Sequence, residues 1–313
     1  MDLPGVPTPA LGVRTSDEAL LVGVEGSAGG YDLYGYLFDR STVVQLPVGG
    51  TSFPGEDLDG LLAVWWEGQY NEDTDEFFDE HLYAFRLPDG PRVEVAARSR
   101  MSYPQVAGDW ITWAEGGPWE ENPEEYALYH IYGVKVDANG TPMSEPVELV
   151  PSATAYLLGD SFWTYDLSET HLTWEQATAV GPYQAGLYTM DLSTREPRLL
   201  STEAWRPSLA GQKIVYFQDG LKVTDLATGQ TRGIDAGGDF PTAASTFAAY
   251  YRSAQTSSGS EYQIVARGYD GNHEQVLGAT TEAPWLSPLI AASDKHVAFA
   301  FDGIPHVFQW QGQ

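Results

Sequence analysis

The stretch Trp205 to Gln230, WRPSLAGQKIVYFQDGLKVTDLATGQ, constrains the fold more than any other part of the chain. A short strand at Pro207 runs into a turn at Gly211-Gln212, and an apolar strand Lys213 to Phe217 into a turn at Asp219-Gly220. A third strand, Leu221 to Leu226, ends in a turn at Thr228-Gly229, and the residues after Gln230 supply a fourth. Four short strands joined by tight turns, recurring every few tens of residues, are the pattern of a β-propeller blade.

Taking Pro207 as a register mark, equivalents stand at Pro9, Pro54, Pro104, Pro241 and Pro288. In the double-length gap between Pro104 and Pro207, Tyr165 takes the place of proline. An aromatic residue falls nine positions after four of these marks (Trp113, Trp174, Tyr216, Tyr250) and eleven after two others (Trp65, Phe299). Seven units result. They predict an all-β, seven-bladed propeller of four-stranded antiparallel blades, one domain over 1–313, with blades at about 7–48, 49–98, 99–150, 151–202, 203–236, 237–281 and 282–313. Period-2 alternation runs throughout, and 33 Gly and 20 Pro interrupt any helical periodicity. Little chain follows Trp310, so Asp2 to Val6, or nothing, should complete the seventh blade.

At Pro-x-x-x-Gly, as in PQVAGDWITW and PSLAGQKIVYF, followed by strands such as GLYTMDL and GLKVTDLATG, the chain resembles the TolB-like family of propeller repeats. The resemblance covers about six of the seven units. It implies the propeller fold and a habit of binding proteins or sugars, often in a secreted or periplasmic setting. A fold by itself implies no reaction.

The net charge of -28 is unevenly spread. Ser41 to Thr194 holds 26 acids and five bases (-21), against 18 acids and 11 bases (-7) elsewhere. Long-range repulsion therefore disfavours nucleic acid and anionic lipid, and permits a cationic partner or a metal ion. No run of 18 apolar residues is available to cross a membrane as a helix. The N-terminus lacks the basic and apolar regions of a signal peptide. Either a mature secreted, periplasmic or cell-surface domain or a cytoplasmic protein fits, and a monomer is expected. Cysteine is absent, so the sequence carries no redox clue.

The segments joining blades bring Phe53, Tyr103, Trp163, Trp205, Phe240 and Trp285 towards one face, where aromatics could stack sugars or clamp a peptide. Trp119 joins them from a long loop. These seven are the candidate ligand-binding residues, and the alternative is that they wedge between blades as core. Two long acidic loops, EGQYNEDTDEFFDEH and EGGPWEENPEEYALYH, sit on neighbouring blades. Asn71-x-Asp73-x-Asp75 has the alternate spacing of a calcium loop but lacks the glycine at the sixth position and the glutamate at the twelfth. Asp73, Asp75 and Asp79 are accordingly the candidate Ca²⁺ ligands, against the alternative of a solvated loop. His81, His130 and His306 occupy equivalent places, where strand spacing favours packing or hydrogen bonding over a shared metal. No nucleophile elbow, zinc-binding helix motif or phosphate loop is present. A non-enzymatic binding domain for a protein, peptide or neutral or cationic sugar is thus expected first. The alternative is a glycoside hydrolase pairing Asp57 or Asp109 with Glu67 or Glu115.

Overall fold

The computed structural model describes residues 3–26, 30–49, 51–52, 55–71, 76–116, 127–155, 165–177, 185–256, 259–280, 290–301 and 303–312. Seven antiparallel sheets follow one another along the chain, and no helix occurs among the described residues. They are the blades of a seven-bladed β-propeller. Five blades have four strands in sequence order; the strand Trp205–Ala210, for instance, pairs with Lys213–Phe217, then Leu221–Asp225, then Thr231–Asp235. In blade two the first strand is broken into Thr51–Ser52 and Asp57–Asp59, which both pair with Leu62–Asn71. The fourth strand of blade three, Val147–Ala155, runs past the expected boundary at 150.

Blade seven has three strands among the described residues, Ile290–Ala292, His296–Phe301 and Ile304–Gln309. Leu3 to Val6 does not form its fourth strand. Instead the Val6 N–H donates to the Leu3 carbonyl across Pro4-Gly5, with Gly5 at φ +81°. Pro4, Pro7 and Pro9 each lack the N–H that a ladder would use, so this segment turns rather than pairs.

The chain forms two compact units. The first comprises Met1–Glu120, Tyr129–Ser152 and Ala298–Val307. In it one apolar cluster joins Leu21 and Leu33 of blade one to Trp65 and Phe85 of blade two. Another joins Trp66 and Leu82 of blade two to Ile111 and Trp113 of blade three. The second unit comprises Glu121–Leu128, Ala153–Val297 and Phe308–Gln313. There Leu187 packs with Ile214 and Tyr216, and Val215 and Val223 pack with Tyr250 and Val265. Each such large side chain contributes roughly 1.5–3 kcal/mol by leaving water.

Every blade opens with a hairpin of two turn residues, closed by pairs such as Asp59–Leu62, Ala107–Trp110, Ala210–Lys213 and Ala244–Phe247. Gly60, Gly108 and Gly211 sit at the first turn position with φ of +54° to +58°. At Gly211 nothing lies within 4 Å of an added Cβ, so backbone conformation rather than space selects glycine. Counting back from the turns moves three of the sequence marks. The residues equivalent to Pro104, Tyr165, Pro207 and Pro241 are Val13, Glu56 and Ile290, not Pro9, Pro54 and Pro288. The two eleven-residue spacings then become nine, because the hairpin length is fixed. Nine residues on, the side chains Val22, Trp65, Trp113, Trp174, Tyr216, Tyr250 and Phe299 are all buried.

First strands of successive blades are latched by one repeated bond. Asp57 accepts from the Val106 N–H (2.8 Å), Asp166 from the Leu209 N–H (2.6 Å) and Ser208 Oγ from the Ala243 N–H (2.9 Å).

Candidate ligand-binding site

In blades five and six the first strand carries a bulge just before the register proline, between Trp205 and Ser208 and between Asp239 and Thr242. Proline disfavours the right-handed helical region for the residue before it. Arg206 and Phe240 occupy the left-handed region instead, at φ +53° and +49°. Each such residue costs of order 1–3 kcal/mol and persists only where surrounding bonds hold it. Those bonds are present: the Arg206 N–H donates to Glu175, and the Phe240 N–H donates to its neighbour Asp239 (2.8 Å).

The bulge re-aims the two side chains onto one another. The Arg206 guanidinium lies 3.8 Å from the centroid of Phe240 and 4.4 Å from that of Trp205. Its Nη1 donates to both oxygens of Asp239 at 2.6 Å. Trp205 stands edge-on to Phe217 at 5.3 Å, and Phe240 edge-on to Tyr251 at 6.5 Å. Burial pushes the Tyr251 hydroxyl up to about 12. Beside the cluster, Arg206, Pro207, Phe240, Pro241 and Ile290 line a small depression. Pro207, Pro241 and Ile290 are the same position of three successive blades, so the lining follows from the repeat.

Glu175 lies beneath this backbone and is buried. Desolvation pushes its carboxyl up to about 8, and the Arg206 N–H and charge only partly offset it. Burial likewise raises Asp57 to about 6, despite Arg14 and the Val106 N–H, and raises Glu80, which accepts the Met101 N–H. All three carboxyl groups are held by a backbone N–H of the next blade.

Of the seven candidate ligand residues, Trp205 and Phe240 are brought together, with Arg206 between them. Phe240 is buried and Trp205 half-buried. Tyr103, at φ +50°, holds in blade three the position that Arg206 and Phe240 hold in theirs. Phe53, Trp119, Trp163 and Trp285 lie outside the described residues, as do Asp73 and Asp75. Asp79 accepts from Gln69 (3.2 Å) and bonds His81 Nε2 (3.2 Å). No group of three or more potential metal ligands occurs among the described residues.

Two of the expected carboxylate pairs, Asp57 with Glu67 and Asp109 with Glu115, are separated along their strands. Asp57 faces Val64, three residues short of Glu67, which is about 10 Å of strand. Asp109 lies in the hairpin turn and pairs with Lys135, whereas Glu115 is six residues away, about 20 Å along the strand. Glu67 is saturated by Trp65 Nε1 (2.7 Å), the Gly49 N–H (3.1 Å) and Arg92 (2.8 Å), and Glu115 accepts Trp113 Nε1 (2.8 Å). The histidines bond and stack from within their strands: His81 Nδ1 meets Glu94 at 3.0 Å and His130 Nδ1 meets Glu148 at 2.6 Å. His306 packs against Phe299.

Neither Arg206 nor Glu175 stands out in the sequence. Aligning Trp205-Arg206-Pro207 with Asp239-Phe240-Pro241 would expose Arg206, because it puts a cation in register with a neighbouring ring. Nothing local distinguishes Glu175 from the other acids.

No protein-family model matches the sequence, and a search of curated proteins finds no match. Solved structures do match. The acylaminoacyl peptidase of Pyrococcus horikoshii, uncomplexed, is 15% identical over 87% of this chain and 45% of its own, with a TM-score of 0.58. An acylaminoacyl peptidase in complex with Z-Gly-Gly-Phe-chloromethyl ketone is 14% identical over 96% of this chain and 50% of its own, also at 0.58. TolB from Acinetobacter baumannii is 12% identical over 95% of this chain and 75% of its own, at 0.46. This chain spans about half the length of the peptidases it matches, and at these identities the likeness is one of fold.

Proposed function

We propose that this protein is a non-enzymatic binding or scaffolding propeller that recognises a protein, peptide or carbohydrate ligand through the face carrying Trp205, Arg206 and Phe240. The observation that supports it is the Arg206 guanidinium held against the rings of both Trp205 and Phe240, built on two left-handed residues at equivalent bulges. Rigid aromatic faces with a fixed cation are the anchors from which binding sites are made. A secreted, periplasmic or cell-surface setting suits the role. Peptide and neutral glycan arrays should reveal saturable binding that Trp205→Ala weakens at least tenfold, without turnover of aryl glycosides or peptide anilides. Binding indifferent to Trp205→Ala would remove the reading.

A second reading, a hydrolase, draws on Glu175, whose carboxyl is pushed up by burial to about 8, the direction a general acid needs. Turnover of a neutral glycoside, abolished by Glu175→Gln, would put it first.

A further inference from the structure

Building on that binding role, we infer that Arg206 reads a carboxylate, and that the ligand is a peptide presenting one. Nη1 of Arg206 is committed to Asp239, whereas Nε and Nη2 have no hydrogen-bond partner among the described residues. These two nitrogens form one edge of the guanidinium, the edge that grips a carboxylate through two parallel bonds. The guanidinium is held in place by Trp205 and Phe240, whose ring centroids lie 4.4 and 3.8 Å from it, and by Asp239. The Arg206 side chain is 22% exposed, so it is in contact with solvent but shielded from full hydration.

The surroundings fit the rest of the ligand. Pro207, Pro241, Phe240 and Ile290 beside Arg206 are buried and apolar, and lack the polar side-chain atoms that a sugar hydroxyl would need. Charge is permissive here as it is not elsewhere. Residues 195–297 hold 11 acids and nine bases, near balance, while Ser41 to Thr194 carries -21. An anionic group is repelled by the acidic stretch and accepted where Arg206 stands.

Calorimetric titration with acetyl-Gly-Ala-Val as the free acid, and with the same peptide as its C-terminal amide, tests this. The acid should bind at least tenfold tighter than the amide. Arg206→Gln should erase the preference, and Arg206→Lys should keep part of it, since an ammonium retains the charge without the fork. Arg232→Gln, an exposed cation in the outer strand of blade five, should leave it intact. Near-ultraviolet circular dichroism confirms that each variant is folded. Equal binding of acid and amide overturns the inference yet leaves the binding role standing. Failure of both peptides to bind also overturns it, and if neutral glycans fail as well, the binding role falls with it.

Discussion

Blades two and three bury a tryptophan where blades five and six bury a tyrosine, and the consequences spread to the surface. An indole N–H only donates, so Trp65 and Trp113 need an acceptor, and each finds the glutamate two residues on, Glu67 and Glu115. Tyr83 and Tyr132 pack beside the indoles, with His81 and His130 stacked on them and Glu94 and Glu148 on the histidines. A phenol both donates and accepts. Tyr216 settles with Thr224 Oγ1 at 3.0 Å within its own blade, and Tyr250 with Asp235 of the outer strand of blade five at 2.9 Å. At the position of Glu67 and Glu115, blades five and six carry Gln218 and Arg252. Part of the acidity of blades two and three is therefore used in packing, whereas in blades five and six Arg206 and Phe240 come together instead.

The contrast between the blades is broken most severely at a buried indole. Trp113→Ala removes a fully buried side chain, and should lower unfolding free energy by about 3–5 kcal/mol in urea titration. A loss under about 1 kcal/mol would mean that the tryptophan does not organise its blade.

Glu175 supplies the next effect. Its folded carboxyl titrates at about 8, above its value in the unfolded chain, so the folded state holds the extra proton between roughly pH 4.5 and 8. Stability is therefore greatest below that window and declines as pH rises through it. The decline is on the order of 1 kcal/mol per pH unit relative to Glu175→Gln. Parallel pH profiles for the wild type and the variant would contradict the burial of this carboxyl.

Glu67→Gln should cost about 2 kcal/mol, because it weakens the bond to Arg92 as well as that to Trp65, whereas Glu115→Gln, which weakens the bond to the Trp113 indole, should cost about 1 kcal/mol. Thermal melts of the two variants measure the difference, and equal losses would deny the role of Arg92. Tyr250→Phe matches Glu115→Gln as the smallest effect, about 1 kcal/mol for a hydroxyl bonded to Asp235, and a loss as large as that of Trp113→Ala would erase the contrast between the blades.

Strand order and blade number were legible because each blade is local: two-residue hairpins and period-2 alternation lie within some forty residues. The register of Pro9, Pro54 and Pro288 misled, since proline recurs for reasons of turn geometry as well as position. Trp205 and Phe240 were found as aromatics before a register proline. Arg206 was not, because its meaning depends on Phe240, 34 residues away, and on a backbone conformation that no residue type announces.

By itself the sequence determined the repeat, its strands and the imbalance of charge, all of which follow from spacing and composition along the chain. Only the tertiary structure decided which acids are consumed by the fold and which guanidinium edge has no hydrogen-bond partner among the described residues. Burial and hydrogen bonding between blades set the state of Asp57, Glu80 and Glu175, and those neighbours are distant in sequence. The same blade-to-blade contact that hides a carboxylate behind a backbone N–H lays the Arg206 guanidinium on the ring of Phe240.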